Sequence, residues 1–441
     1  MSELRQQAIG IVETLQGRGF EALFAGGCVR DMLMGHEPVD YDVATNARPD
    51  EVAAIFPKTV LVGVKFGVVR VLVDSHDFEV ATFRTEHGYL DHRHPQVVEF
   101  SDARNDALRR DFTINAILCD PLTGRILDYA GGQDDIRAGI IRTVGEPEKR
   151  FEEDYLRLIR AVRFAARFNY RIEDRTFDAI RRNAAKIIDI SRERIGQEIL
   201  KIFGGPHPHV GLQLLSDTGL LAHIMPEVDT MKGVEQPANY HPEGDVFQHS
   251  LLALRLMGQA RTPEFALAVL LHDVGKPPTF ERTPQRIRFS NHTEVGAEII
   301  HRIGRRLRFS NDQIDFISSL ARDHMKFVNV CGMKESTLKK CLRGRYFNDL
   351  LELHRLDCLA SHGDLTAWRF CKQKLEELGR EKIYPPRLIT GGDLIELGYQ
   401  PGPVFRKILS ATEDAQLEGE IRSREDAIEF VLHNFPRPER E

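Results

Sequence analysis

The sequence predicts an α+β protein, with a mixed strand-and-helix head followed by an all-helical remainder. Strand-like runs gather near the start: Val68–Val73, Phe78–Phe83 and Val97–Phe100. From about residue 150 the period changes. Leu156, Ile159, Ala161, Val162, Phe164, Ala165 and Phe168 recur at the spacing of one helix face.

The 441 residues suffice for roughly two to four domains, and an apolar content of 42% supports sizeable cores. A net charge of −6 excludes a uniformly basic nucleic-acid binder, so any RNA contact must use local basic surface. Six scattered cysteines, without a C-x-x-C pair, indicate neither a disulfide framework nor a zinc ribbon. The chain shows no signal-peptide pattern and no apolar run of membrane-spanning length. It is therefore expected in the reducing cytoplasm, with no membrane partner.

Between the last two strand-like runs, Arg84–Pro95 is rich in His, Asp, Arg and Glu and reads as a polar, mobile loop. A Gly/Pro/His-rich break at Gly204–Pro208 punctuates the helices. An irregular stretch, Gly233–Asp245, precedes a histidine-bearing helical block that runs to about residue 365. Pro385-Pro386 opens a C-terminal module.

The chemistry starts at Gly26-Gly27-Cys28-Val29-Arg30-Asp31, after the apolar run Ala22–Ala25 and before a helix-like segment. Two glycines let the backbone approach a polyphosphate, whose charge a helix N-terminus and Arg30 favour. Asp40-Tyr41-Asp42 follows in an alternating segment. On a strand, Asp40 and Asp42 share a face. Paired carboxylates repel unless a cation separates them, and Mg²⁺ suits hard oxygen ligands shared with phosphates. Alone, either motif is commonly a turn or an acidic loop. Together, in this order and this close, they indicate a nucleotidyl-transfer site.

Arg109-Arg110-Asp111 suits triphosphate and ribose through charge-assisted hydrogen bonds. Glu153-Asp154-x-x-Arg157 begins an arginine-rich helix with Arg160 and Arg163. There Asp154 and Arg157, three apart, are expected on one helix face.

These motifs, with Arg192-Glu193-Arg194-Ile195 and Glu198, resemble the class II tRNA nucleotidyltransferases, the CCA-adding enzymes and their poly(A) polymerase relatives. The resemblance covers roughly 1–205 closely. It implies a polymerase-β-like nucleotidyltransferase head (1–140), an all-α neck that reads the base (141–230), an HD domain (231–370) and a helical tail (371–441). Asp40 and Asp42 would hold catalytic Mg²⁺. Gly26, Gly27, Arg30, Arg110, Asp111, Arg160 and Arg163 would contact the nucleotide, and Asp154 and Arg157 would act as an amino-acid template. The implied partners are tRNA, CTP and ATP.

The template role is chemically sensible. Cytosine and adenine each present an exocyclic amino donor beside a ring-nitrogen acceptor. A carboxylate next to a guanidinium complements both. Uracil and guanine present the opposite order and would leave buried groups unmatched, at about 1–3 kcal/mol per group.

Downstream, His249, then His272-Asp273 in Leu271-His272-Asp273-Val274-Gly275-Lys276, then Asp357 form a second set. The set resembles the HD phosphohydrolase superfamily and matches its four ligand positions. Imidazole with carboxylate suits a divalent transition metal or Mg²⁺, which can activate water against a phosphate ester. His292 and His324 belong either to a second metal position or to the partly exposed surface. The tail segment around Ile389–Leu394 and Pro401–Phe405 looks like that of the same family, with tRNA contact or packing on the HD block as its roles.

The expected reaction is metal-assisted attack of the tRNA 3′-hydroxyl on an α-phosphate, adding CCA and releasing pyrophosphate. An A-only enzyme or a poly(A) polymerase shares the motifs. In the family, loss of adenosine addition accompanies loss of the flexible head loop, and Arg84–Pro95 keeps a loop of that kind. From another class, the HD block could be the main activity, as a phosphodiesterase or phosphatase. The intact Asp40/Asp42 pair argues against this. A non-catalytic RNA binder would not retain both metal constellations. The sequence sets no oligomeric state.

Overall fold

A computed structural model of the chain describes residues 2–61, 67–89, 95–237, 241–258 and 262–436. The chain divides into two units. One comprises Met1–Thr230 with Gly258–Ala266 and Ile303–Phe309. The other comprises Met231–Met257, Leu267–Arg302 and Ser310–Glu441.

The first unit opens with α1 (Glu3–Gly17), started by a bond from Arg5 N to Ser2 Oγ at 3.3 Å. Ala8, Ile11, Val12 and Leu15 lie one helical face apart and are buried against the head sheet. Then follow β1 (Ala22–Ala25), α2 (Gly27–Leu33), β2 (Val43–Thr45), α3 (Pro49–Ile55), β3 (Thr59–Val60), β4 (Val68–Val73) and β5 (His76–Thr82). β6 (Arg84–Tyr89), β7 (Pro95–Phe100), α4 (Ala103–Leu108), β8 (Ile117–Cys119) and β9 (Ile126–Asp128) complete the head. The seven-stranded sheet runs β3-β4-β5-β2-β1-β8-β9. β2 and β5 are parallel, with Val43 opposite Val80, and β1 pairs antiparallel with β2. β1 is central and wholly buried, which is why its four residues are all apolar.

Two expectations are corrected here. Arg84–Pro95 is not simply a loop. β6 and β7 form a separate antiparallel ribbon, with Arg84 opposite Phe100 and Tyr89 opposite Pro95. Backbone pairing outweighed the polar side chains that suggested irregular structure, and residues 90–94 lie outside the described ones. Asp40 and Asp42 precede β2 rather than lying within it. The pairing with β1 nevertheless reaches back to Asp42, since Ala25 N donates to Asp42 O at 3.0 Å. Tyr41 between them is buried against Phe24, with ring centroids 5.1 Å apart.

The neck follows as α5 (Gly132–Ala138), β10 (Ile140–Ile141), α6 (Pro147–Glu153), α7 (Leu156–Phe168), β11 (Arg171–Ile172), α8 (Asp174–Asn183), α9 (Arg192–Phe203) and α10 (Pro208–Asp217). Short helices α11 (Leu220–Ile224) and α12 (Pro226–Asp229) close it. α7 buries Leu158, Ile159, Ala161, Val162 and Ala165, as its period requires, and packs against α9 and α10. The Gly204–Pro208 break is the turn between those two helices. A third correction concerns α6 and α7. Asp154 has extended backbone (φ −151°, ψ 105°) and separates the two helices, so Asp154 and Arg157 do not share a helix face. Asp154 Oδ1 instead accepts from Leu156 N at 3.0 Å, closing the start of α7.

The second unit is mainly helical. Its principal elements are α13 (Val246–Leu256), the later part of α14 (Pro263–Leu271), the hairpin β12 (Phe280–Arg282) and β13 (Ile287–Phe289), α15 (His292–Arg306) as far as Arg302, α16 (Asn311–Asp323), α17 (Glu335–Leu342) and α18 (Phe347–Ala360). The chain continues through α19 (Thr366–Ile383), α20 (Gly391–Glu396), α21 (Pro403–Glu418) and α22 (Arg424–Asn434). The boundary at 370/371 falls inside α19. The apolar cluster of the tail starts at Ile389 and includes Leu394, Ile408, Ala427 and Val431. α21 packs on α17, where Lys339 Nζ donates to Leu417 O at 2.6 Å and Arg343 pairs with Glu413 at 2.9 Å. Among the described residues no helix is long and apolar enough to cross a membrane.

Candidate functional site

The head and neck residues singled out from the sequence line one cleft of about 620 Å³ in the first unit. Gly26 makes the turn from β1 into α2 with φ +70°, a conformation that favours glycine. A Cβ there would lie 2.5 Å from Arg110 Nη1, so the glycine also makes room for that guanidinium. Arg110 Nη2 donates to the buried Asp106 Oδ2 at 3.1 Å.

Asp40 and Asp42 face the same cleft. Burial, then the neighbouring Asp40 and Glu79, push the Asp42 carboxyl up to about 6, against the opposing pull of Arg110. Glu79 is a residue that motif reading missed. It stands on β5 beside Val80, the partner of Val43 in the parallel ladder, and so comes next to the pair. A carboxylate at an alternating position of a strand-like run was the available signal.

Arg30 is less free than expected. It is buried, with Nε donating to Asp31 Oδ1 at 2.8 Å and Nη1 to Asn115 Oδ1 at 2.6 Å. Burial would raise Asp111, but Arg160 above all, helped by the Asn115 amide, holds it at about 2. Arg160 Nε lies 2.9 Å from Asp111 Oδ2. Arg163 pairs with Glu198 at 2.9 Å, and its burial lowers the guanidinium to about 10. Phe164 sits among these cations, 4.3 Å from Arg163 Cζ and 5.3 Å from Arg160 Cζ.

Asp154 and Arg157 both line the cleft but do not pair with each other. Arg194 on α9 takes Asp154, with Nη2 to Oδ2 at 2.7 Å. Arg157 Nη1 donates to Arg150 O at 2.7 Å and to Glu153 Oε2. Each member of the expected template is thus held by a different neighbour, with acceptor and donor capacity left over.

The second unit gathers the other set. His249 on α13 is fully buried, with Nε2 3.2 Å from Asp357 Oδ1 on α18 and 3.3 Å from His272 Nε2. His272 Nε2 lies 3.3 Å from Asp273 Oδ2. His272 Nδ1 donates to Val269 O at 2.9 Å, which leaves its Nε2 as the acceptor. His249 Nδ1 lies 2.6 Å from Glu243 Oε1, a partner that the irregular stretch before α13 concealed. Burial would lower His249, but Asp357 and Glu243 carry it to about 9. His249, His272 and Asp357 converge closely enough to share one metal ion. Asp273, His292 and His324 form a second convergent group, and both histidines are at least half-buried rather than surface groups. Lys276 Nζ lies 2.6 Å from Asp273 Oδ2.

Comparison with known proteins follows the same division. Residues 22–142 match the family described as the poly A polymerase head domain. Residues 169–232 match a probable RNA and SrmB-binding site of polymerase A, and 246–348 match the HD domain. A CCA-adding enzyme of Geobacillus sp. (strain WCH70) is 43% identical over 242 residues, 55% of this chain and 60% of that protein. The CCA-adding enzyme of Geobacillus stearothermophilus is 47% identical over 220 residues, 50% of this chain and 54% of that protein. The matched stretch thus spans 54–60% of the length of these curated relatives. The solved structure of a Bacillus stearothermophilus CCA-adding enzyme in complex with CTP aligns over 98% of both chains, at 30% identity and a TM-score of 0.73. The likeness therefore runs from the carboxylate-bearing sheet through the arginine-lined neck to the tail, and the chain belongs to the family of CCA-adding enzymes.

Proposed function

We propose that this chain adds the 3′-terminal CCA to tRNA, using CTP and ATP and releasing pyrophosphate. One observation carries the reading: the Asp40/Asp42 pair and the separately held Asp154 and Arg157 line one arginine-rich cleft. Asp40 and Asp42 would hold Mg²⁺. The fit rests on the donor set: two carboxylates that face one cleft beside arginines supply the hard oxygen ligands that Mg²⁺ shares with phosphates. The cation would neutralise the triphosphate and favour the attacking hydroxylate. Arg110 and Arg160 bear positive charge toward the phosphates, and Asp111, held ionised at about 2, is suited to accept from a ribose hydroxyl. Asp154 accepts from the exocyclic amino group of cytosine or adenine, and Arg157 donates to the ring nitrogen. Catalysis is then mainly positioning and charge neutralisation.

The buried His249, His272 and Asp273 with the half-buried Asp357 support a second, separate reading: a divalent transition metal or Mg²⁺ that serves phosphate-ester hydrolysis. To test the main reading, tRNAs lacking the 3′ end, ending in C and ending in CC are offered CTP and ATP separately. Addition of both C residues and then one A supports it. Growth only from CC, or open-ended A addition, favours an A-only enzyme or a poly(A) polymerase.

A further inference from the structure

Both oxygens of Asp111 already have their donors. Oδ1 accepts from Phe112 N at 2.8 Å and from Asn115 Nδ2 at 3.1 Å. Oδ2 accepts from Arg160 Nε at 2.9 Å and Nη2 at 2.5 Å. A carboxylate has about four lone-pair positions, so a ribose hydroxyl reaches Asp111 only if one donor yields. The Arg160 pair is charge-assisted and two-pronged, which makes it the strongest of the bonds. Phe112 N is fixed by the backbone next to Asp111 itself. The Asn115 bond is neutral and the longest, so it exchanges at least cost.

The neighbours of Asn115 leave its amide one orientation. Arg30 only donates, and its Nη1 lies 2.6 Å from Asn115 Oδ1. Asp111, held at about 2 by Arg160, is ionised and only accepts. Oδ1 therefore turns to Arg30 and Nδ2 to Asp111. Arg30 is a firm pivot for this amide. Its Nε donates to Asp31 Oδ1 at 2.8 Å, and its Cζ lies 4.8 Å from the ring centre of Phe168 and 5.5 Å from that of Phe164. Asn115 is only 8% exposed, yet it borders the cleft together with Asp111.

We propose that Asn115 is a specificity-determining residue that reads the ribose jointly with Asp111. A ribose hydroxyl inserts between Asn115 Nδ2 and Asp111 Oδ1. Its O–H donates to Oδ1, and its oxygen accepts from Nδ2. The amide and the carboxylate thus each exchange one partner for another, and neither is left unsatisfied. A hydroxyl can bridge the two because it donates and accepts at once, whereas a hydrogen in its place does neither. The inference rests on the reading of this cleft as the CTP and ATP site.

The test is isothermal titration of the full chain with CTP, 2′-deoxy-CTP and 3′-deoxy-CTP in Mg²⁺ buffer, without tRNA. Wild type should bind CTP roughly tenfold more tightly than at least one of the deoxy compounds. Asn115→Ala should narrow that preference to about twofold, by weakening CTP and sparing the deoxy compound. Asn115→Asp, which keeps an acceptor for Arg30 but cannot donate, serves as the second variant and should narrow it likewise. Equal weakening of all three ligands in folded variants, or an unchanged preference, would reduce Asn115 to a structural role and overturn the inference. Equal binding of all three by wild type would also overturn it. Failure of the underlying reading looks different, because wild type would then bind none of the three.

Discussion

Arg194 holds Asp154 across forty positions of sequence, with Nη2 2.7 Å and Nη1 3.4 Å from its two carboxylate oxygens. The clamp fixes the direction in which Asp154 presents its remaining acceptor capacity. Asp154→Ala should relax discrimination against UTP and GTP by roughly five- to a hundred-fold, the scale of one unmatched buried polar group. Arg194→Ala should do the same more weakly, by freeing the carboxylate. Misincorporation ratios measure this. Slower addition with unchanged selectivity would remove Asp154 from base reading.

Asp42 makes folding stability depend on pH. Its folded value of about 6 lies above the ordinary 3.8, so folding favours the protonated form. That stabilisation is fully present below about pH 4 and is lost as pH rises through 6. Asp42→Asn carries no charge and escapes the loss. In metal-free buffer the variant should melt a few degrees above wild type at about pH 7.5, and the gap should close near pH 4. Identical melting curves at both pH values would show that Asp42 is not strained by its neighbours.

The second reading proposed above gives the second unit a metal chemistry of its own. His272→Ala should remove bound transition metal and any phosphodiesterase activity, yet leave nucleotide addition within about twofold of wild type. Metal analysis and an addition assay on the same preparation decide this. Loss of both activities in a folded variant would tie the two sites together.

The β6–β7 ribbon occupies the place where the sequence suggested a loop. Replacing 86–98 with a Gly-Ser turn, while keeping the Thr85–Glu99 pair, should leave two-C addition intact and stop the chain at CC. Undiminished addition of the terminal A, read from product length, would deny the ribbon a role in that step.

Much of this was legible because side-chain chemistry is local. Gly26-Gly27, the aspartates around Tyr41, Arg110-Asp111 and His272-Asp273 each stand out within a few residues, and the structure places the first three sets on one cleft. The helical period of α7 likewise read directly as a buried face. What escaped depends on partners far apart in the chain. Glu79 reaches Asp42 only through the parallel pairing of β2 with β5, and Arg194 reaches Asp154 only once α9 packs on α7. Glu243 lies in a stretch whose irregularity hid the bond to His249. The extended backbone at Asp154 was invisible to a spacing rule that assumed one continuous helix.

The most direct test of the central claim is 3′-end sequencing of tRNA lacking its terminal CCA after incubation with both CTP and ATP. Wild type should yield ends that stop at CCA. Asp42→Ala should bind the tRNA about as tightly and extend it by nothing. Extension by Asp42→Ala at the wild-type rate, or wild-type ends with any other sequence, would contradict it.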